Sequence, residues 1–176
     1  ADGTASTSNG NVFSSSMGTG GFTDVLILPT TGTYTIYINP GGTDIGSASL
    51  QLWSVPPDIT ATIAIDGPQV TYGTAVAGQN IYLTFVNNTV NQRVALQDIN
   101  ETFPNITPGV VIYKPAPDGS ASTSNGYVFS DNSYLGGLGT GAWTDVVVLP
   151  TTGTYTIYLN PDDLDIGTIT LKLWSV

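Results

Sequence analysis

Apolar and polar residues alternate with a period of two along much of this chain. In Tyr34-Thr-Ile-Tyr-Ile38, residues Tyr34, Ile36 and Ile38 alternate with Thr35 and Tyr37, the pattern of a strand with one buried face. Ala48, Leu50 and Leu52 alternate likewise with Ser49, Gln51 and Trp53. Ile59, Ala61, Ile63 and Ile65 form another such run, and Ile81, Leu83 and Phe85 alternate with Tyr82, Thr84 and Val86. Turn dipeptides separate these runs, among them Gly41-Gly42, Asp66-Gly67, Pro108-Gly109 and Asp118-Gly119. No window carries helical apolar spacing with caps. Many short strands divided by turns predict an all-β fold, an antiparallel, jelly-roll-like β-sandwich. The predicted core of 57–176 comprises Ile63, Ile65, Ile81, Leu83, Phe85, Val94, Leu96, Tyr155, Ile157, Ile169, Leu171 and Leu173.

The chain also repeats itself. Residues 28–37 recur without change at 149–158, Ala5–Gly10 recurs as Ala121–Gly126, and Leu52-Trp-Ser-Val55 recurs as Leu173-Trp-Ser-Val176. The offset grows from 116 residues at Asp2/Asp118 to 121 at Trp53/Trp174, so five residues are inserted, near Tyr134–Gly139. Added length is inexpensive in a surface loop. Segment 57–115 has no second copy. The order is therefore a second half (1–56), a first half (57–117) and a second half again (118–176). Residues 57–176 are expected to form one complete sandwich and 1–56 a half-domain that cannot complete its own fold. Left alone, that half would bare one apolar face and open strand edges. Three completions are open: a first half supplied from upstream, strands donated by a neighbouring subunit, or two bare faces packing together. Contact with a neighbouring subunit is the favoured expectation.

The run Val110-Val-Ile-Tyr-Lys-Pro115, then Asp118-Gly119, a Ser/Gly-rich stretch, Asp145-Val-Val-Val-Leu-Pro150 and Gly153-Thr-Tyr-Thr-Ile157 resembles the bacterial pre-peptidase C-terminal domain and its relatives. These sandwiches also occur as tandem repeats in long bacterial surface proteins. The resemblance spans 57–176 as a whole domain and 1–56 as a half. It implies a non-catalytic, secreted accessory or structural module.

Composition narrows the functions. The formal charge is −10, and Arg93, Lys114 and Lys172 are the only basic residues. Nucleic-acid binding by counterion release needs a Lys/Arg cluster that this chain lacks, as does an electrostatic hold on anionic lipid. No apolar run approaches the roughly 20 residues that span a bilayer. No signal peptide stands ahead of Ala1, and any such segment is expected either to have been removed or never to have been part of this sequence. The few tryptic sites suit life outside the cell, so an extracellular or cell-surface location is expected.

Without His or Cys the chain has no Ser-His-Asp triad, cysteine nucleophile or imidazole site. A carboxylate pair for glycoside cleavage would have to use the sole glutamate, Glu101. No enzyme is expected, and no cofactor. Calcium is the best metal candidate, with Asp162, Asp163 and Asp165 in one loop as hard oxygen ligands; solvated turn aspartates are the plainer reading. The sequons at Asn87, Asn100 and Asn105 are no more frequent than chance allows in so Ser/Thr-rich a chain.

The alternation turns Tyr37, Trp53, Tyr158 and Trp174 outward. Such rings stack on sugars, bury against a neighbouring protein, or cap the sandwich ends beneath a loop. Together these features predict a structural subunit or repeat of an extracellular bacterial fibre or adhesive surface protein. Such a subunit would self-associate with identical copies through β-strand contacts. The alternative is an accessory carbohydrate- or protein-binding domain of a secreted hydrolase.

Overall fold

The computed structural model describes residues 4–6, 10–18, 20–104, 109–131, 141–161 and 164–176. The chain divides into two compact units, Ala1–Ser54 and Val55–Val176.

The second unit holds nine strands: β1 (Ile59–Thr62), β2 (Val70–Gly73), β3 (Ile81–Asn87), β4 (Gln92–Glu101), β5 (Gly109–Tyr113), β6 (Tyr127–Asp131), β7 (Val147–Leu149), β8 (Gly153–Asn160) and β9 (Thr168–Ser175). They form two sheets, ordered β1-β3-β8-β5-β6 and β2-β9-β4-β7, which pack as a sandwich. Every second-half strand except edge strands β6 and β7 lies between two first-half strands: β8 between β3 and β5, β9 between β2 and β4. The two halves thus interleave within both sheets.

Alternation predicts the core well. Ile81, Leu83 and Phe85 of β3 meet Leu159, Ile157 and Tyr155 of β8 in register, and all six are buried. Facing them from the other sheet are Val94 and Leu96 of β4 and Ile169, Leu171 and Leu173 of β9. Burying each Leu or Ile contributes about 1.5–3 kcal/mol. Of the predicted core only Ile65 is half-buried. Phe103, Val110, Ile112, Val147, Leu149 and Leu159 complete it.

The pairing departs from a purely antiparallel sandwich along the stretch 59–65. β1 runs parallel to β3, from Ile59↔Ile81 to Thr62↔Thr84. Beyond β1 the chain crosses to the other sheet, where Ile65 makes a parallel bridge with Leu173. Asp66 then accepts the Ser175 N–H at 2.9 Å and the Ser175 hydroxyl. A single strand serves both sheets, and a parallel neighbour is the result.

The first unit differs more. Its alternating stretches 34–38 and 48–52 are predicted strands, yet among its described residues there is no strand. Ile36, Ile38, Leu50 and Leu52 are exposed, with Leu52 at 82%. The cause lies in the topology: the strands equivalent to these are stabilised between first-half strands, and this segment brings none of its own. Local geometry nevertheless repeats. Asp24 accepts its neighbour Val25 N–H at 2.7 Å, as Asp145 accepts Val146 N–H at 2.7 Å. Gly153 has φ 132° beside Pro115, whose ring atoms a Cβ would meet at 2.9 Å, so only glycine fits there. Its counterpart Gly32 has φ 149°.

The insertion near Tyr134–Gly139 lies outside the described residues.

Candidate functional site

The β-period divides each strand of the sandwich into an inward and an outward set, and the outward aromatics gather in two groups. On the five-stranded sheet, Tyr82 of β3 and Tyr158 of β8 are directly opposed, with ring centroids 4.8 Å apart. Tyr113 of β5 lies 6.4 Å from Tyr158. All three rings are half-buried, so Tyr158 is packed into a tyrosine row rather than standing free.

On the other sheet, Trp174 of β9 lies opposite Ala95 of β4. Its indole Nε1–H donates to Gln97 Oε1 at 2.9 Å. The Lys172 ammonium sits 3.6 Å from the Trp174 ring centroid, a cation–π geometry. Trp143 stacks on Trp174 with centroids 6.0 Å apart and planes at 30°. Trp143 is fixed by a backbone bridge to Gln97 just ahead of β7, and its side chain is 48% exposed. Arg93 is exposed on the same outward face of β4 as Ala95 and Gln97. Two indoles, an amide and two cations therefore share one surface.

Of the sequence-predicted outward aromatics, Tyr158 and Trp174 belong to these two groups. Tyr37 and Trp53, in the first unit, are 78% and 67% exposed. Sequence reasoning passed over Trp143, which lies in Gly-Ala-Trp-Thr-Asp, a stretch without alternation. The available signal was Phe22, an aromatic at the same place in the first copy.

The acidic residues divide into turn formers and a buried pair. Asp118 accepts from the Ser120 N–H at 2.9 Å and its hydroxyl at 2.7 Å. Those bonds hold its carboxyl below the usual carboxylate range, and Ser175 does the same for Asp66 with help from Lys172. Asp98 faces inward and is buried at the β4 bulge, where Ile99 is the extra residue. Desolvation, reinforced by the neighbouring Glu101 charge, pushes its carboxyl up to about 7. Burial also raises Glu101, against a hydrogen bond with Asp98 that lowers it. Asp98 Oδ1 and Glu101 Oε2 are buried without a hydrogen-bond partner among the described residues.

Asp162 and Asp163 of the candidate calcium loop lie outside the described residues, while Asp165 is buried. No helix among the described residues is long and apolar enough to cross a membrane.

No family model matches the chain, and no curated protein matches it. Similar solved structures include the following two. PliG of Aeromonas hydrophila, a periplasmic inhibitor of g-type lysozyme, has 12% identity, a TM-score of 0.42, and coverage of 66% of this chain and 98% of its own. The pre-peptidase C-terminal domain of a collagenase from Bacillus anthracis has 15% identity and a TM-score of 0.48, covering 68% of this chain and 99% of its own.

Proposed function

We propose that this chain is a non-catalytic structural repeat of an extracellular bacterial fibre or surface protein, and that its repeats join through β-strand contacts. One observation carries this reading. Residues 1–54 duplicate the strand sequences of a folded half-sandwich, yet hold no strand among the described residues and expose the residues that their copies bury. Ile36 is 57% exposed where Ile157 is fully buried, and Leu50 is 53% exposed where Leu171 is fully buried. An apolar, strand-forming surface of this kind is stabilised by strands from outside the segment.

The partner it fits is a first half like 57–117, carried by another repeat. Its register would follow the pairs seen within the second unit, with Ile36 where Ile157 meets Leu83 and Tyr34 where Tyr155 meets Phe85. Exchange between identical chains leaves one second half over in each, so the partner repeat must bring a first half whose own place is vacant. The non-catalytic reading is supported by the absence of His and Cys from the sequence and by its single glutamate, Glu101.

The test is electron microscopy of the native material together with sedimentation velocity of the purified chain. Filaments and concentration-dependent growth are expected. A strictly monomeric chain, with 1–54 folded and its apolar face covered by its own residues, would overturn the reading.

A further inference from the structure

We propose that the outward face of sheet β2-β9-β4-β7 binds a carboxylated polysaccharide, with Trp143 as the stacking surface and Lys172 and Arg93 as the cations that meet its carboxylates. This inference is independent of the fibre reading and survives if that reading fails.

The argument begins with charge. Three basic residues stand against thirteen acidic ones in the whole chain, and two of the three point out from neighbouring strands of one sheet. Alternation puts Arg93 and Gln97 opposite in direction to buried Val94 and Leu96, and Lys172 opposite to buried Leu171 and Leu173. Arg93 lies two residues along β4 from Ala95, roughly 7 Å, and Ala95 is the cross-strand partner of Trp174. The cations therefore flank the indole pair. Asp66 is near enough to feel Lys172, which reduces the local charge without cancelling it, since Arg93 lies on the far side of the indoles. At physiological ionic strength charges beyond about 8 Å are screened, so a bound carboxylate would sense these two cations together with Asp66 and with exposed Asp145, two residues from Trp143.

The aromatic geometry supplies the second part. Lys172 covers one part of Trp174, Trp143 stacks on it, and the Gln97 amide holds its N–H. Trp143 itself remains half exposed. A rigid, preorganised indole with few degrees of freedom to lose is suited to the flat C–H face of a pyranose ring. Sugar carboxylates would then reach Arg93, whose planar fork matches them two bonds at a time, and the Lys172 ammonium. Two cations are far too few for nucleic acid. In the first copy Phe22 and Gln51 stand where Trp143 and Lys172 stand in the second, so the charged form of this surface belongs to the second copy.

The experiment titrates the full chain with polygalacturonate and, in parallel, with dextran, following heat and tryptophan fluorescence at low and physiological ionic strength. Binding of polygalacturonate that weakens with salt is expected, with dextran much weaker. Trp143→Ala and the pair Arg93→Gln with Lys172→Gln should each weaken it by about tenfold or more. An unchanged urea midpoint, followed by far-ultraviolet dichroism, would show that the sandwich stays folded. The proposal is overturned if polygalacturonate does not bind, if dextran binds equally well, or if neither variant weakens binding. It is equally overturned if Trp143→Ala alters only the sedimentation of the chain, because the surface is then a contact with a second copy.

Discussion

Tyr34 and Tyr155 make the same local contacts in the two copies, but only one of them is buried. Tyr155 donates its hydroxyl to the Thr151 carbonyl at 2.9 Å and Tyr34 donates to Thr30 at 2.8 Å, each with a second contact to the threonine hydroxyl at 3.2 Å. The Tyr155 ring is fully buried and stacks on Phe85 at 5.4 Å, whereas Tyr34 is 39% exposed. The corner is encoded locally; the burial depends on first-half strands.

That contrast predicts unequal mutational costs. Tyr155→Phe should cost about 1 kcal/mol through the lost hydrogen bond, and Tyr155→Ala about 3–5 kcal/mol. Tyr34→Ala should change the unfolding free energy of the unassembled chain by less than about 0.5 kcal/mol. Urea unfolding followed by tyrosine fluorescence and far-ultraviolet dichroism makes the comparison.

Leu171 and Leu50 provide a second matched pair, since the two copies differ in environment rather than in residue. Leu171→Ala should destabilise the sandwich by about 2–5 kcal/mol, while Leu50→Ala should leave its melting temperature unchanged. If the fibre reading holds, Leu50→Ala instead reduces assembly, seen as a loss of fast-sedimenting material.

Asp98 makes stability depend on pH. Its carboxyl titrates at about 7 in the folded chain against an ordinary 3.8. The folded state thus binds the proton more tightly than the unfolded state, so this contribution is complete below 3.8 and is lost as pH rises through about 7. Glu101, also raised, acts with the same sign. Exposed Asp66 and Asp118, both lowered, act with the opposite sign. At 1.36 kcal/mol per unit, discounted for the coupling to Glu101, the loss is roughly 2 kcal/mol. Asp98→Asn should flatten this dependence in urea titrations between about pH 4 and pH 7.

Chymotrypsin should discriminate between the units. Tyr37 and Trp53 are largely exposed and outside any strand, whereas Phe85 and Tyr155 are buried. Cleavage should therefore begin within the first unit and leave a protected fragment near 55–176, as judged by mass spectrometry of early digests.

Much of this architecture is legible in the sequence. Period-two alternation places Ile81, Leu83, Phe85, Leu171 and Leu173 inside, because a strand offers only two directions for a side chain. The internal repeat likewise marks the unequal halves. Partner choice is another matter: nothing local in Ile59-Thr-Ala-Thr62 tells that it lies parallel to β3. Nor does alternation reveal the Trp143–Trp174 stack, which arises between a loop and a strand brought together by the bridge to Gln97. Asp98 follows Val94 and Leu96 on the inward face of β4, so alternation marks its direction, but not the bulge at Ile99 that follows it.

The parallel bridge between Ile65 and Leu173 has a mechanical consequence. Tension drawing residue 55 and residue 176 apart pulls these two adjacent stretches in opposite senses along their common axis. The Asp66–Ser175 bonds and the neighbouring ladder are then strained in shear, all at once, instead of peeling open one after another. Strung in series under drag, such a module would yield late and abruptly rather than by gradual extension.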